Sequence, residues 1–115
     1  TERLTELGGK AVDGLFLTQY FDRNDSSTEY QRFRAVFEKR FQRSPGFASV
    51  AAYDATKAVL DATWRAKSST PLKTALIKHG PFAGAQQAIT FDAFGDSVRK
   101  AFIITIRDGH FVVVE

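Results

Sequence analysis

The chain has 115 residues, 43% of them hydrophobic and 25% charged, with a net charge of +3, which is a one-domain length and a globular rather than disordered composition. It contains no Cys, which excludes disulfides, Cys-ligated zinc and thiol nucleophiles, and it holds no apolar run of about 18 residues, which excludes a membrane-spanning helix. The mild basicity permits contact with nucleic acid without demanding it.

In chain order, Thr1 to Lys10 reads as the tail of a helix closed by a Gly8-Gly9 turn. Val12 to Thr18 is rich in β-formers and nearly all apolar, the pattern of a buried strand. Asp22 to Ser27 is polar and reads as a loop. A helix over 27–43 follows. Ser26 with Glu29 three residues on forms a capping-box pattern. Tyr30, Phe33, Phe37 and Phe41 then recur at spacings of three and four, along one helical face. Ser44-Pro45-Gly46 stops it.

A second helix is predicted over 48–67, slim because Ala48, Ala51, Ala52, Ala55, Ala58 and Ala62 line it. Thr70 as N-cap with Pro71 at the first position opens a third, over 71–79, which His79-Gly80-Pro81 ends. The remainder is β: a short strand at 88–91, a turn at 92–96, and a hairpin of 101–107 with 110–114 through Asp108-Gly109. Ala101 to Ile106 is apolar on both faces and is expected to be covered. The first strand must pair with one of the last.

Few residues suggest chemistry. Asp92 and Asp96 flank a turn but lack the regular oxygen ligands of a calcium loop. His79 and His110 have no second ligand at metal spacing. Gly8-Gly9-Lys10 is followed by Ala11 and lacks the earlier glycine of a phosphate loop. Ser49, Asp54 and His79 supply the residue types of a triad without a nucleophile elbow. No catalytic constellation is present, no cofactor is expected, and an enzyme is not expected. The run at 32–43 mixes cations with Phe, as a reader of single-stranded nucleic acid does. Its Phe residues share one face and its cations largely the others, which is the pattern of a solvated amphipathic helix.

Four segments in this order carry a resemblance: GGKAVDGLFLTQYFD from Gly8, FASVAAYDA from Phe47, GAQQAITFDAFGD from Gly84 and AFIITIRDGHFVVV from Ala101. Together they resemble the C-terminal part of the type I periplasmic solute-binding proteins, and most closely the branched-chain amino-acid receptors of ABC transporters. Members of that family are several times longer, so the chain is expected to be a C-terminal segment of a two-lobed α/β protein, with incomplete lobes. The resemblance implies hinge crossovers near 19–22 and 92–101, with helices 27–43, 48–67 and 71–79 on the N-terminal lobe. It implies a solute-binding role: an amino acid or similar small carboxylate held between lobes for a membrane permease, outside the cytoplasm.

It also implies ligand contacts at Gln19 and Tyr20, just past a strand end, and at Phe47 and Ser49, at a helix entrance. Tyr20 and Phe47 read equally as a strand-end core aromatic and a hydrophobic staple. Tyr53-Asp54 matches the family's YDA and is expected to serve packing and helix-end hydrogen bonding. Two other readings are a cytoplasmic sensor with the same fold and a small basic nucleic-acid module. The missing N-terminal part, or a second copy, is expected to cover the apolar faces of helices 48–67 and 71–79 and of strand 101–106.

Overall fold

A computed structural model describes residues 2–114; Thr1, the first residue of the predicted helix tail, lies outside them. Helix α1 spans Glu2–Gly8 and runs into a 3-10 turn over Gly9–Val12. Strand β1 spans Phe16–Gln19, α2 Thr28–Phe41, α3 Phe47–Arg65 and α4 Leu72–Lys78. The β-strands that follow are β2 (Phe82–Ala83), β3 (Ala88–Phe91), β4 (Ser97–Val98), β5 (Phe102–Arg107) and β6 (His110–Val113).

These elements form two bodies. In one, antiparallel strands lie in the order β1-β5-β6. The β5–β6 hairpin turns at Asp108 and Gly109 with φ of 50° and 74°, both left-handed as the tightest hairpin turns require. One face of this sheet buries Ile104, Ile106 and Phe111 under Val12, with Leu4 and Leu17 packed beside them. On the other face Phe16 is 69% exposed. In the second body the small antiparallel sheet β2-β3-β4 packs with α3 and α4. Phe82 sits among Ala58, Ala62 and Ala75 there. Phe21, Tyr30, Val50 and Ala85 form the adjoining core.

On α3 the buried residues are Val50, Asp54, Ala58 and Ala62, a single stripe at i, i+4 spacing. Outside that stripe Leu60 and Trp64 are exposed. The molecule is elongated, 54 × 33 × 23 Å, with a radius of gyration of 16.5 Å against about 13 Å for a compact chain of this length. The chain passes between the bodies twice, through 20–22 and through 99–101.

Several elements depart from the sequence expectation. The strand predicted over 12–18 begins only at Phe16, because Gly9 and Gly14 take positive φ and Leu15 N–H donates to the Val12 carbonyl at 3.2 Å, which curls the segment first. The α2 cap is Ser27, not Ser26: its hydroxyl accepts from Tyr30 N–H. Glu29 therefore serves the helix by its charge in the first turn. Pro71 itself, with ψ of 140°, is the N-cap of α4 in place of Thr70. The two-residue strands β2 and β4 were not predicted. The pairing of the first strand with a late one holds: Gln19 lies opposite Phe102 and Phe16 opposite Thr105.

The predicted aromatic face of α2 is a continuous row. Ring centroids lie 6.0 Å apart for Phe21–Tyr30, 6.4 Å for Tyr30–Phe33, 5.8 Å for Phe33–Phe37 and 4.5 Å for Phe37–Phe41. Burial raises the Tyr30 phenol above its ordinary value, and Arg34 and Arg23 nearby oppose that rise. The folded chain thus holds this proton to higher pH than the unfolded chain. That contribution is complete below about pH 10 and is lost as pH climbs through the raised value. Urea midpoints should therefore fall above about pH 10, and Tyr30→Phe should lessen the fall. Equal slopes for the two proteins would contradict this.

Candidate functional site

Strand β1 carries Leu17, Thr18 and Gln19 to its carboxyl end, and the chain leaves the sheet at Tyr20. Pro45 and Gly46 stop the approach to α3, so Phe47 is the first residue of that helix. The two ends meet. Leu4, Leu17, Thr18, Gln19, Tyr20 and Phe47 line one cavity of about 280 Å³. Phe47 comes from the helical body and the others from the sheet body or its first link, so the cavity lies between the two bodies. Tyr20 is 49% and Phe47 44% exposed, which leaves both rings accessible.

The lining carries no ionisable acid or base beyond the Tyr20 phenol. The polar groups are the Thr18 hydroxyl, the Gln19 amide and that phenol; the rest is hydrocarbon. Such a wall suits an apolar group flanked by a few hydrogen-bonding atoms. Beside it α3 begins without a side-chain cap, because its N-cap is Gly46. The positive end of a 19-residue helix therefore meets the space near Phe47.

Three of the four expected contacts, Gln19, Tyr20 and Phe47, thus share one cavity. Ser49 is outside its lining: it is half-buried, and its N–H donates to the Gly46 carbonyl at 3.0 Å. Leu4 was missed, because a helix tail at the start of the chain gave no sign that it folds back over β1. Asp54 is buried, as a packing role requires, but it lies mid-helix and its hydrogen bonds go to the β2–β3 loop and Arg99 instead of to a helix end. Its Oδ1 accepts from Ala85 N–H at 2.7 Å and its Oδ2 from Arg99 at 3.1 Å. Asp92 closes its own turn, its Oδ1 accepting from the N–H groups of Phe94, Gly95 and Asp96, each at 2.9 Å.

Among the described residues no cluster of His, Asp or Glu stands ready for a metal ion, and no helix is long and apolar enough to cross a membrane. On α2, Arg34 is paired with Glu38 at 2.8 Å, which also accepts from Ser44. The Phe33 ring packs against Phe37 along the helix and against Tyr53 rather than standing out as a base-stacking platform.

A family model described as periplasmic binding protein matches residues 1–110. No curated protein sequence matches the chain. Among solved structures, the leucine-binding protein LivK of Thermotoga maritima superposes with a TM-score of 0.83 at 25% identity, over 100% of this chain and 34% of that one. The branched-chain amino-acid transporter substrate-binding protein LivJ of Streptococcus pneumoniae, in complex with isoleucine, gives 0.80 at 23%, over 99% and 34%. A solute-binding protein of an ABC transporter from R. palustris, in complex with benzoate, gives 0.74 at 16%, over 96% and 32%. The chain spans about a third of the length of these proteins.

Proposed function

The chain belongs to the periplasmic binding protein family, and on that premise we propose that it supplies part of an interlobe cleft that captures an amino acid or similar small carboxylate for an ABC transporter. The single observation that carries this reading is the cavity shared by Gln19, Tyr20 and Phe47, which is built from both bodies. The sheet body corresponds to one lobe and the helical body to the other. The two links at 20–22 and 99–101 are then hinge crossovers, and hinge closure around a solute is an established mode for two-lobed binding proteins.

The largely apolar lining makes this wall the receptor for the solute's side chain, of leucine, isoleucine or valine size. The uncapped start of α3 favours the negative end of the solute. The solute is bound and released unchanged, so no catalytic residue is assigned. The site of action is outside the cytoplasmic membrane, and the partner is the membrane permease. The exposed Leu60 and Trp64 on α3 are surface for the remainder of the protein to cover.

Calorimetric titration of the protein with leucine, isoleucine and valine tests the reading. Phe47→Ala should weaken the best of them by about five- to thirtyfold, as truncation of an aromatic contact worth 1–2 kcal/mol does. Phe94→Ala, on an exposed turn away from the cavity, should leave affinity unchanged. Equal affinities for the Phe47 variant and the parent would remove Phe47 from the site.

A further inference from the structure

Each link between the two bodies is gripped by a glutamine. Asp22 N–H donates to Gln86 Oε1 at 3.0 Å, and Gln86 Nε2 donates back to the Asp22 carbonyl. Lys100 N–H donates to Gln87 Oε1 at 2.9 Å, and Gln87 Nε2 donates back to the Lys100 carbonyl at 3.1 Å. A side-chain amide thus satisfies both backbone polar groups of one residue on each link, as a neighbouring strand otherwise does. The two glutamines are consecutive, in the short loop between β2 and β3.

That loop is itself fixed to the helical body. Ala85 N–H is held by the buried Asp54, whose other oxygen takes Arg99, the neighbour of Lys100. Gly84 is required there: a Cβ at that position would lie 2.5 Å from the Gln87 carbonyl and 3.1 Å from both Asp54 oxygens. On the sheet side, the β1–β5 ladder is paired as far as Gln19 and Phe102. Phe21 is buried in the helical body's core. Between the two anchored ends lie Tyr20 on one link and Ala101 on the other, each next to the last pair of the ladder. Arg23 and Asn24, on the helical-body side of these two residues, also touch β6 at Phe111, a contact that must slide or break when the bodies rotate about Tyr20 and Ala101.

We propose that Gln86 and Gln87 are the positioning residues of a hinge whose pivot is the Tyr20–Ala101 pair. A hinge needs a few residues that absorb the change in φ and ψ between ends that stay rigid. The paired amide bonds make the helical-body end rigid, and the ladder makes the sheet end rigid. The inference rests on the cleft reading in one respect, the purpose of the motion. Tyr20 also lines the cavity, so solute contact and pivot meet in one residue.

The test is the distance distribution between spin labels, read by pulsed electron resonance on the solute-free chain. The absence of Cys lets each pair be introduced alone. Ala35→Cys on α2 with Arg107→Cys on β5 reports between bodies; Ala35→Cys with Lys78→Cys on α4 reports within the helical body. Gln86→Met with Gln87→Met keeps side-chain length and removes the amides. It should broaden the between-body distribution roughly twofold or more and leave the within-body distribution unchanged. Gln86→Ala with Gln87→Ala, which brings no new side chain into the loop, should do the same. An unchanged between-body distribution in both variants would overturn the proposal. Equal broadening of both distributions would make the glutamines general supports of the fold and would overturn it too. No solute is present, so a chain that binds no amino acid leaves this result standing.

Discussion

Asp54→Ala should destabilise the folded chain by about 3–5 kcal/mol, the usual result of removing one member of a buried ion pair. Asp54 is 2% exposed and the Arg99 side chain 16%, so water replaces the lost partner only in part. The substitution strands two groups at once. Arg99 keeps its charge without the carboxylate 3.1 Å away, and Ala85 N–H loses the oxygen at 2.7 Å. A stranded buried donor alone costs about 1–3 kcal/mol. Total stabilities of about 5–15 kcal/mol are usual for natural domains, so the loss is a large fraction of what the chain has. Asp54→Asn keeps an acceptor for Ala85 N–H and gives up the charge, and its loss should be clearly smaller. Urea unfolding followed by far-ultraviolet circular dichroism measures both. If Asp54→Ala unfolds within about 0.5 kcal/mol of the parent, as a neutral surface change does, the carboxylate does not hold the β2–β3 loop to α3.

Phe82→Ala should cost about 3–5 kcal/mol, the range for truncating a buried aromatic ring. The upper part of that range is expected here for a structural reason. Phe82 is 0% exposed and its buried neighbours are Ala58, Ala62 and Ala75. Methyl groups on two helix backbones have no rotamer that reaches into a hole, so these three neighbours cannot refill the cavity, and only Leu76 and Phe91 at its edge have rotamers to do so. The ring also meets Phe91 at 6.2 Å and carries the Arg65 guanidinium at 5.3 Å. Phe94→Ala is the matched control: its ring is exposed and its loss should stay within about 0.5 kcal/mol. The same unfolding measurement decides. Equal effects at the two positions would mean that the helical body is not packed around Phe82.

The parts legible in the sequence were those written by local period or turn chemistry. Phe33, Phe37 and Phe41 announced one face of α2 by spacing alone. Asp108-Gly109 announced the β5–β6 turn because few other pairs accept two successive left-handed residues. Of the six alanines expected to line α3, Ala58 and Ala62 meet α4 and β2, whereas Ala48, Ala52 and Ala55 are exposed.

What was not legible depended on distant partners. Val12 has a strand-former's side chain, yet it closes a 3-10 turn, because Gly9 and Gly14 curl the segment and the sheet needs Val12 as a lid. Ser26 and Ser27 are equivalent in sequence; which one caps α2 depends on how the preceding loop arrives, with Ser27 N–H bonded to Asp25 Oδ1 at 2.7 Å. Strands β2 and β4 have two residues each, too short for any period. The cavity lining was legible in part: the resemblance pointed to Gln19 and Tyr20 at a strand end and Phe47 at a helix entrance, which do line one cavity, but Leu4 reaches it only through the fold of α1. Gln86 and Gln87 read as polar loop residues, since Asp22 lies 64 positions from Gln86 and Lys100 lies 13 from Gln87.

The central claim is that the wall formed by Gln19, Tyr20 and Phe47 receives the side chain of an amino acid. It is tested most directly by a nuclear magnetic resonance titration of the isotopically labelled chain with L-leucine, read residue by residue. The account predicts concentration-dependent shifts at Leu17 to Tyr20 and at Phe47, lost in Phe47→Ala. Shifts confined to the apolar groove between Leu72, Leu76, Phe91 and Phe94, or no shifts at millimolar leucine, would contradict it.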